Sequence, residues 1–395
     1  MEHHKTEQYF IFELLGSALN QTPWDTIPEA LDWKYVYTLC KYHKIDNWAA
    51  YALDYADTTI QKQIPENVRQ IFLLAKQKGI AREATQFFSL EEMQKEFEEN
   101  RIYNIPLKGA QLKSYYPSPD MRFLTDLDIL CHREDAEKIS EIMTGLGYRM
   151  EHGGGHHDVY VRKPFMTVEI HWICSTNNTS MNALFENIWE RCTNWEGYEY
   201  SRRMPWEDYY VYMVGHMAKH FRYGGIGLRM LLDFYVFEKC LQESCDWQYV
   251  EYHLKKAKLF LFAQTMSSFL KKCFRQKELT SEEQLLLEHI WENGAYGTKE
   301  THSGIRFLKD GGSKGTIWKN RILIYIHVLF PPLDGMKQMY PYLEKYPFFL
   351  PAAWFQRLMK KTLFERQKSR EVWKDAGNTD NLDKMNRISR AAGLY

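Results

Sequence analysis

Apolar positions recur at helical spacing through most of the chain. Phe10, Phe12, Leu14, Leu15 and Leu19 fall on one side of a helix, as do Ile71, Phe72, Leu74 and Ala75. Ala81 to Asn100, ending in KEFEEN, reads as one long amphipathic helix with a charged outer face. The pattern then changes. Ile102 to Leu107 is a short apolar stretch broken by Lys108-Gly109, and Phe123 to Cys131 alternates as a strand does. Glu134 to Leu146 predicts a helix ended near Gly147, followed by strands at Arg149–His152, Asp158–Lys163 and Phe165–Ile173. Gly153-Gly154-Gly155 and Lys163-Pro164 supply the turns between them. Helical patterning returns over Met181–Cys192, Trp206–Phe221, Leu228–Cys240, Phe260–Phe274 and Ser281–Glu292. GIRFLKDGGSKG (304–315) predicts an exposed loop, and the polar chain beyond Lys374 a mobile tail.

This order predicts an α+β protein. A small mixed sheet at 101–175, with helices on one face, sits between an N-terminal helical region (1–100) and a larger C-terminal one (176–395). At 395 residues, 45% hydrophobic and 26% charged, the chain can bury a real core. Lys+Arg and Asp+Glu both total 51, so no cationic field draws in nucleic acid, and a small or protein acceptor fits better. The 7 cysteines form no CxxC pair and read as reduced thiols of a cytoplasmic protein. MEHHKTEQYF has no signal-peptide pattern, and the apolar run Ile322–Phe330 is too short to span a bilayer. The aromatic and basic stretch YPFFLPAAWFQRLMKKTLFERQKSR leaves a peripheral membrane contact open beside a helix packed on the domain.

The chemistry concentrates in the central segment. Asp126 and Asp128, at alternate positions of a strand, share a face while Leu127 turns to the core. Two carboxylates side by side repel unless a cation neutralises them, and phosphoryl transfer uses such pairs to hold divalent ions. Glu169, between Val168 and Ile170, adds a third acid, and His171 shares its strand face. All-oxygen donors select Mg²⁺, with Mn²⁺ as substitute. Gly109 opens a helical stretch where a phosphate can approach backbone N–H groups, and Lys108 and Arg122 add positive charge against a triphosphate. Arg122 can equally pair with Asp120 or Asp126.

LKGAQLKSYYPSPDMRFLTDLDIL, with GLGYRM, VEIHW and GHMAKHFRYGGIGLRMLLDFYVF (215–237), resembles the uncharacterised nucleotidyltransferase family of the polymerase-beta-like superfamily. The resemblance implies a metal pair at Asp126 and Asp128, a third acid at Glu169, and a triphosphate turn at Gly109-Ala110. It further implies an NTP such as ATP as substrate and Mg²⁺ as cofactor. Ala110 stands where many superfamily members carry Ser, which keeps open a catalytically inactive binding protein of the same fold. A different chemistry also stays open: His216 and His220, one helical turn apart, with Asp233 as third ligand of a metal phosphohydrolase. GGSKGT (311–316) lacks phosphate-loop spacing.

Overall fold

The computed structural model describes residues 4–153, 155–164, 166–174, 178–223, 225–295, 330, 333, 336, 340, 342–364 and 379–394. The expected loop at 304–315, the GGSKGT run and the apolar run from Ile322 (Phe330 apart) lie outside the described residues.

The N-terminal helices are α1 (Lys5–Asn20), α2 (Trp33–Tyr42), α3 (Asp46–Asp54), α4 (Thr58–Gln63) and α5 (Glu66–Glu99). Asp32 starts α2 by accepting the Tyr35 N–H at 3.0 Å, and Asp57 starts α4 through Thr59 at 2.7 Å. The long α5 covers more than the predicted run. Its first half buries Val68 and Phe72 among the helices, and its second half buries Leu90, Met93 and Phe97 beneath the sheet.

That sheet comprises β1 (Asn104–Pro106), β2 (Leu127–Cys131), β3 (Arg149–His152), β4 (His157–Arg162) and β5 (Met166–His171), in the order β1-β2-β5-β4-β3. A four-residue helix α6 (Gly109–Leu112) follows β1, and α7 (Ala136–Gly145) follows β2. Only β2 and β5 run parallel, with Leu127 opposite Val168 and Asp128 opposite Glu169. Period-two alternation therefore gives the sheet two unlike faces. Leu127, Ile129, Val168 and Ile170 pack on α5 and α7, while Asp128, Leu130, Glu169 and His171 turn the other way.

The opposite side is walled by helices: α8 (Thr179–Phe185), α9 (Ile188–Arg191), α10 (Trp206–Tyr223), α11 (Leu228–Leu241), α12 (Trp247–Lys256), α13 (Phe260–Phe274) and α14 (Ser281–Asn293). A short hairpin, β6 (Thr193–Asn194) and β7 (Arg202–Arg203), precedes α10. Periodicity alone did not reveal α12 or this hairpin; Asp246 caps α12 by accepting from Gln248 and Tyr249. One apolar core joins Phe10, Trp48, Leu107, Leu130, Phe234, Phe269 and Ile388, so both helical regions and the inner sheet face share it. Near the C-terminus lie α15 (Tyr342–Lys345), α16 (Leu350–Phe364) and α17 (Thr379–Ala391). The expectation of a mobile tail is corrected from residue 379 onward. There α17 packs on α14, burying Ile388, Ala392 and Leu394 and pairing Lys384 with Glu292 at 3.0 Å.

Candidate active site

The site forms where β1 ends and β2 begins, alongside β5 and beneath α10. Antiparallel pairing sets Pro106 opposite Ile129, and the Leu107 N–H donates to the Asp128 carbonyl at 2.8 Å, which carries the next residue to the side of Asp128. Lys108 has φ 51° and ψ −130°, a conformation that costs an L-residue about 1–3 kcal/mol and persists where the surroundings fix it. Here they do. Its carbonyl accepts the Tyr209 hydroxyl at 2.7 Å, and its ammonium donates to Asp128 Oδ1 at 2.6 Å.

The parallel register of β2 and β5 places Asp128 and Glu169 directly across from one another on the same face. Adjacent strands lie about 4.8 Å apart, so two carboxylates at that register would repel strongly if left alone. His171, two residues on and therefore on the same side, lies between them. Its Nε2 is 2.8 Å from Asp128 Oδ1 and 3.3 Å from Glu169 Oε2. Among the described residues, Asp128, Glu169 and His171 form a group whose donor atoms all lie within 4.8 Å of one another.

Asp126 sits in the bend just before β2 rather than on the strand, half-buried while Asp128 is buried. It remains close enough to feel the charges of Asp128, Glu169, Lys108 and Arg229.

The electrostatics follow from burial and pairing. Burial, with repulsion from Asp128, raises the Asp126 pKa above the usual carboxylate value. Burial pushes Asp128 in the same direction, yet Lys108 and His171 together overcome it and hold the carboxyl well below its ordinary range. The His171 hydrogen bond keeps Glu169 low. Burial alone would lower the pKa of Lys108 and of His171; the carboxylates outweigh it and raise both. Acids and cations here stabilise one another's charged forms.

The remaining predicted residues have different surroundings. Arg122 meets neither Asp120 nor Asp126. Its Nε lies 2.5 Å from Asp233 Oδ1, and its Nη1 donates to the Phe123 carbonyl at 2.6 Å. Asp120 instead accepts from Tyr51 at 2.7 Å and Ser118 at 2.5 Å. Gly109 is buried, and a Cβ there would stand 2.3 Å from Leu124 Cδ2 and 2.9 Å from Arg122 Cζ. This close approach is a packing reason for glycine, independent of any phosphate. Ala110 is likewise buried against the sheet, its N–H donating to the Leu107 carbonyl at 3.2 Å. The His216–His220–Asp233 metal triad does not assemble. Asp233 is committed to Arg122 and to the Tyr116 hydroxyl at 2.6 Å, and the group does not occur among the possible metal clusters of the described residues.

The helical wall adds Tyr209, Tyr212 and Lys219, which the sequence reading passed over, and gives His216 a place beside them. Tyr209, Tyr212, His216 and Lys219 recur along one side of α10. Charge coupling links Tyr212 to Asp128, His216 to His171, and Lys219 to both Lys108 and Glu169. Their helical spacing was visible in the sequence, but nothing there said which sheet face α10 would cover.

A small mixed sheet with helices over both faces and acids on its inner strands is an α+β fold of nucleotidyltransferase type. The chain belongs to the uncharacterised nucleotidyltransferase family, whose profile matches residues 29–275. It is thus a transferase by family. Among solved structures, the antibiotic-resistance factor ANT(2'')-Ia in solution is similar at 12% identity and a TM-score of 0.26, covering 49% of this chain and 93% of that one. No curated protein matches the sequence. Among the described residues, no helix is long and apolar enough to cross a membrane.

Proposed function

We propose that the chain moves a nucleoside monophosphate from an NTP to a small-molecule or protein acceptor and releases pyrophosphate. The observation that carries this reading is the same-register pairing of Asp128 and Glu169 on parallel strands, with the Lys108 ammonium 2.6 Å from Asp128. The donor set fits a divalent ion. Asp128 and Glu169 offer hard oxygens suited to Mg²⁺, and the imidazole of His171 makes Mn²⁺ acceptable too. Asp126 lies outside that group, near enough to feel the charge of both acids. When bound, the ion would neutralise triphosphate charge and stabilise the attacking and leaving oxygens.

The chain's own groups do the rest. Lys108 sits on a turn fixed by Tyr209 and by the fit of Arg122 and Leu124 over Gly109, so its ammonium is preorganised for a phosphate oxygen. Gly109 and Ala110 act on this reading through the shape of the turn, and the buried Arg122–Asp233 pair ties that turn to α11. With Ala110 packed against the sheet, the missing Ser hydroxyl leaves triphosphate contact to Lys108 and to cations from the wall, Lys219 among them.

Isothermal titration of the full chain with Mg·ATP, Mg·GTP, Mg·CTP and Mg·UTP tests the proposal, at least one of which should release heat. Silence with all four would remove it. Binding without pyrophosphate release would favour the inactive binding protein instead. The expectation of peripheral membrane contact is supported by Phe348, Phe349 and Phe355, exposed at 71%, 47% and 66% at the start of and along α16. Flotation with anionic liposomes checks it, and a chain that stays at the bottom of the gradient dismisses it.

A further inference from the structure

The imidazoles of α10 are not needed to hold an ion or a phosphate, yet the helix that carries them is tied to the site. The Tyr209 hydroxyl pins the helix to the Lys108 carbonyl at 2.7 Å, and His216, two turns further on, comes to the same side. His216 is half-buried, and its Nε2 lies 3.1 Å from Nε2 of His220, which is exposed. At that distance one ring nitrogen donates and the other accepts. His216 touches His220 and has the Tyr212 ring 6.1 Å away, and the charges that act on it are those of Lys108 from the turn after β1, His171 from β5, and Lys219 and His220 from its own helix. Burial and this cationic ring set its pKa well below the ordinary histidine value, so it is neutral at physiological pH.

We infer that the His216–His220 pair is the proton relay of the transfer step, an inference that rests on the nucleotidyl-transfer reading above. His216 Nε2 is engaged with His220, which leaves Nδ1 to take the proton. As the acceptor hydroxyl or amine bonds to the α-phosphorus, its proton moves to His216 Nδ1. The bond from the α-phosphorus to the bridging oxygen breaks, and pyrophosphate leaves with that electron pair. His216 then passes its Nε2 proton to His220 Nε2, and His220 releases a proton to solvent. Asp128 and Glu169 are poor candidates for this role, because their cationic partners hold them low and commit them to charge pairing. Asp126, raised by burial and by Asp128, is kept on this proposal for the ion.

The surroundings also make the base conditional on substrate. Without nucleotide, Lys108, Lys219 and His171 oppose a positive charge on His216. A triphosphate compensates those cations and lifts the imidazole's basicity toward the range where general-base catalysis is efficient. His216 is therefore a strong base only when there is something to transfer.

Two measurements on the full chain test this. Nitrogen-15 NMR of histidine-labelled protein should show His216 still neutral where an ordinary histidine has begun to protonate, with coupling across the N–H···N bond to His220. Saturating Mg·NTP should raise its pKa. A His216 titrating at the ordinary value with no coupling overturns the relay. Pyrophosphate release into water, followed with the nucleotide that binds, should fall by about 100-fold in His216→Gln with an unchanged nucleotide Kd. In His220→Gln it should fall less, with the acid limb of the pH–rate profile displaced. Release by His216→Gln at the wild-type rate and pH profile overturns the relay alone. Wild-type binding without any release overturns the relay together with the transfer reading beneath it, in favour of the inactive binding protein. Failure of the wild type to bind any Mg·NTP overturns instead the nucleotidyl-transfer reading beneath it.

Discussion

Replacing Gly109 with alanine isolates what the glycine does. The added Cβ would lie 2.3 Å from Leu124 Cδ2, 2.9 Å from Arg122 Cζ and 3.1 Å from Arg122 Nε, all below ordinary contact. Leu124 is buried against the sheet and can rotate only into filled space. Arg122 is worse placed to move, since its guanidinium is pinned between Asp233 at 2.5 Å and the Phe123 carbonyl at 2.6 Å, with the Tyr116 hydroxyl donating to the same Asp233 oxygen.

If the neighbours yield without unpairing, overpacking costs about 1–3 kcal/mol. If the buried ion pair opens, the cost rises to about 3–5 kcal/mol, because a charge is left without its partner in the interior. Urea unfolding followed by tryptophan fluorescence and far-ultraviolet circular dichroism should therefore show Gly109→Ala less stable by at least about 1 kcal/mol, with an unchanged m-value. Adding Leu124→Ala should recover little, since the Arg122 contact persists. A Gly109→Ala chain within about 0.5 kcal/mol of wild type would refute the packing argument and return the glycine to phosphate approach alone.

Lys108→Met should weaken Mg·NTP binding by about 1.5–3 kcal/mol, the worth of a charged hydrogen bond, while tightening free Mn²⁺ because the competing ammonium is gone; calorimetry and manganese EPR read the two opposite changes. Glu169→Gln should weaken Mn²⁺ in the same EPR titration by at least tenfold, and an unchanged affinity would remove Glu169 from the ion site. Stability should fall with acid through His43 and His289, whose pKa values burial lowers to about 3 and about 4. Both lie below the unfolded value, so their contribution is complete above about pH 6.5 and each loses about 1.4 kcal/mol per pH unit below it until its folded pKa is reached. Urea midpoints from pH 7 to 5 should show this, with a shallower slope in His43→Gln.

Part of the sheet was legible because β2 and β5 alternate in residue type, with Leu127, Ile129, Val168 and Ile170 on one face and Asp128, Glu169 and His171 on the other. That Asp128 stands across from Glu169 was not legible, since strand order and register come from pairing between segments some forty residues apart. Arg122 shows the same limit. Local charge offered Asp120 and Asp126, while its partner Asp233 lies on α11, brought near only by the shared helical core. Helix α12 escaped although Asp246 offers a cap and Trp247, Val250 and Leu254 recur at helical spacing, a signal masked by the polar and tyrosine residues between them. The docked α17 escaped although Leu382, Met385 and Ile388 recur at helical spacing, because the polar residues around them read as a tail.

The charges in the site fall into two sets whose partners differ with and without nucleotide. Asp126, Asp128 and Glu169 stand against Lys108 and His171, with Lys219 and Arg229 at the edge, and in this state the acids and cations satisfy one another. A divalent ion competes with the cations for the carboxylates, and a triphosphate competes with the carboxylates for the cations. Either alone leaves one set uncompensated in a half-buried site, where unpaired charge is costly. Both together match both sets at once. Ion and nucleotide should therefore each bind weakly alone and strongly as a pair, a coupling fixed by where Lys108 and His171 rest when neither is present.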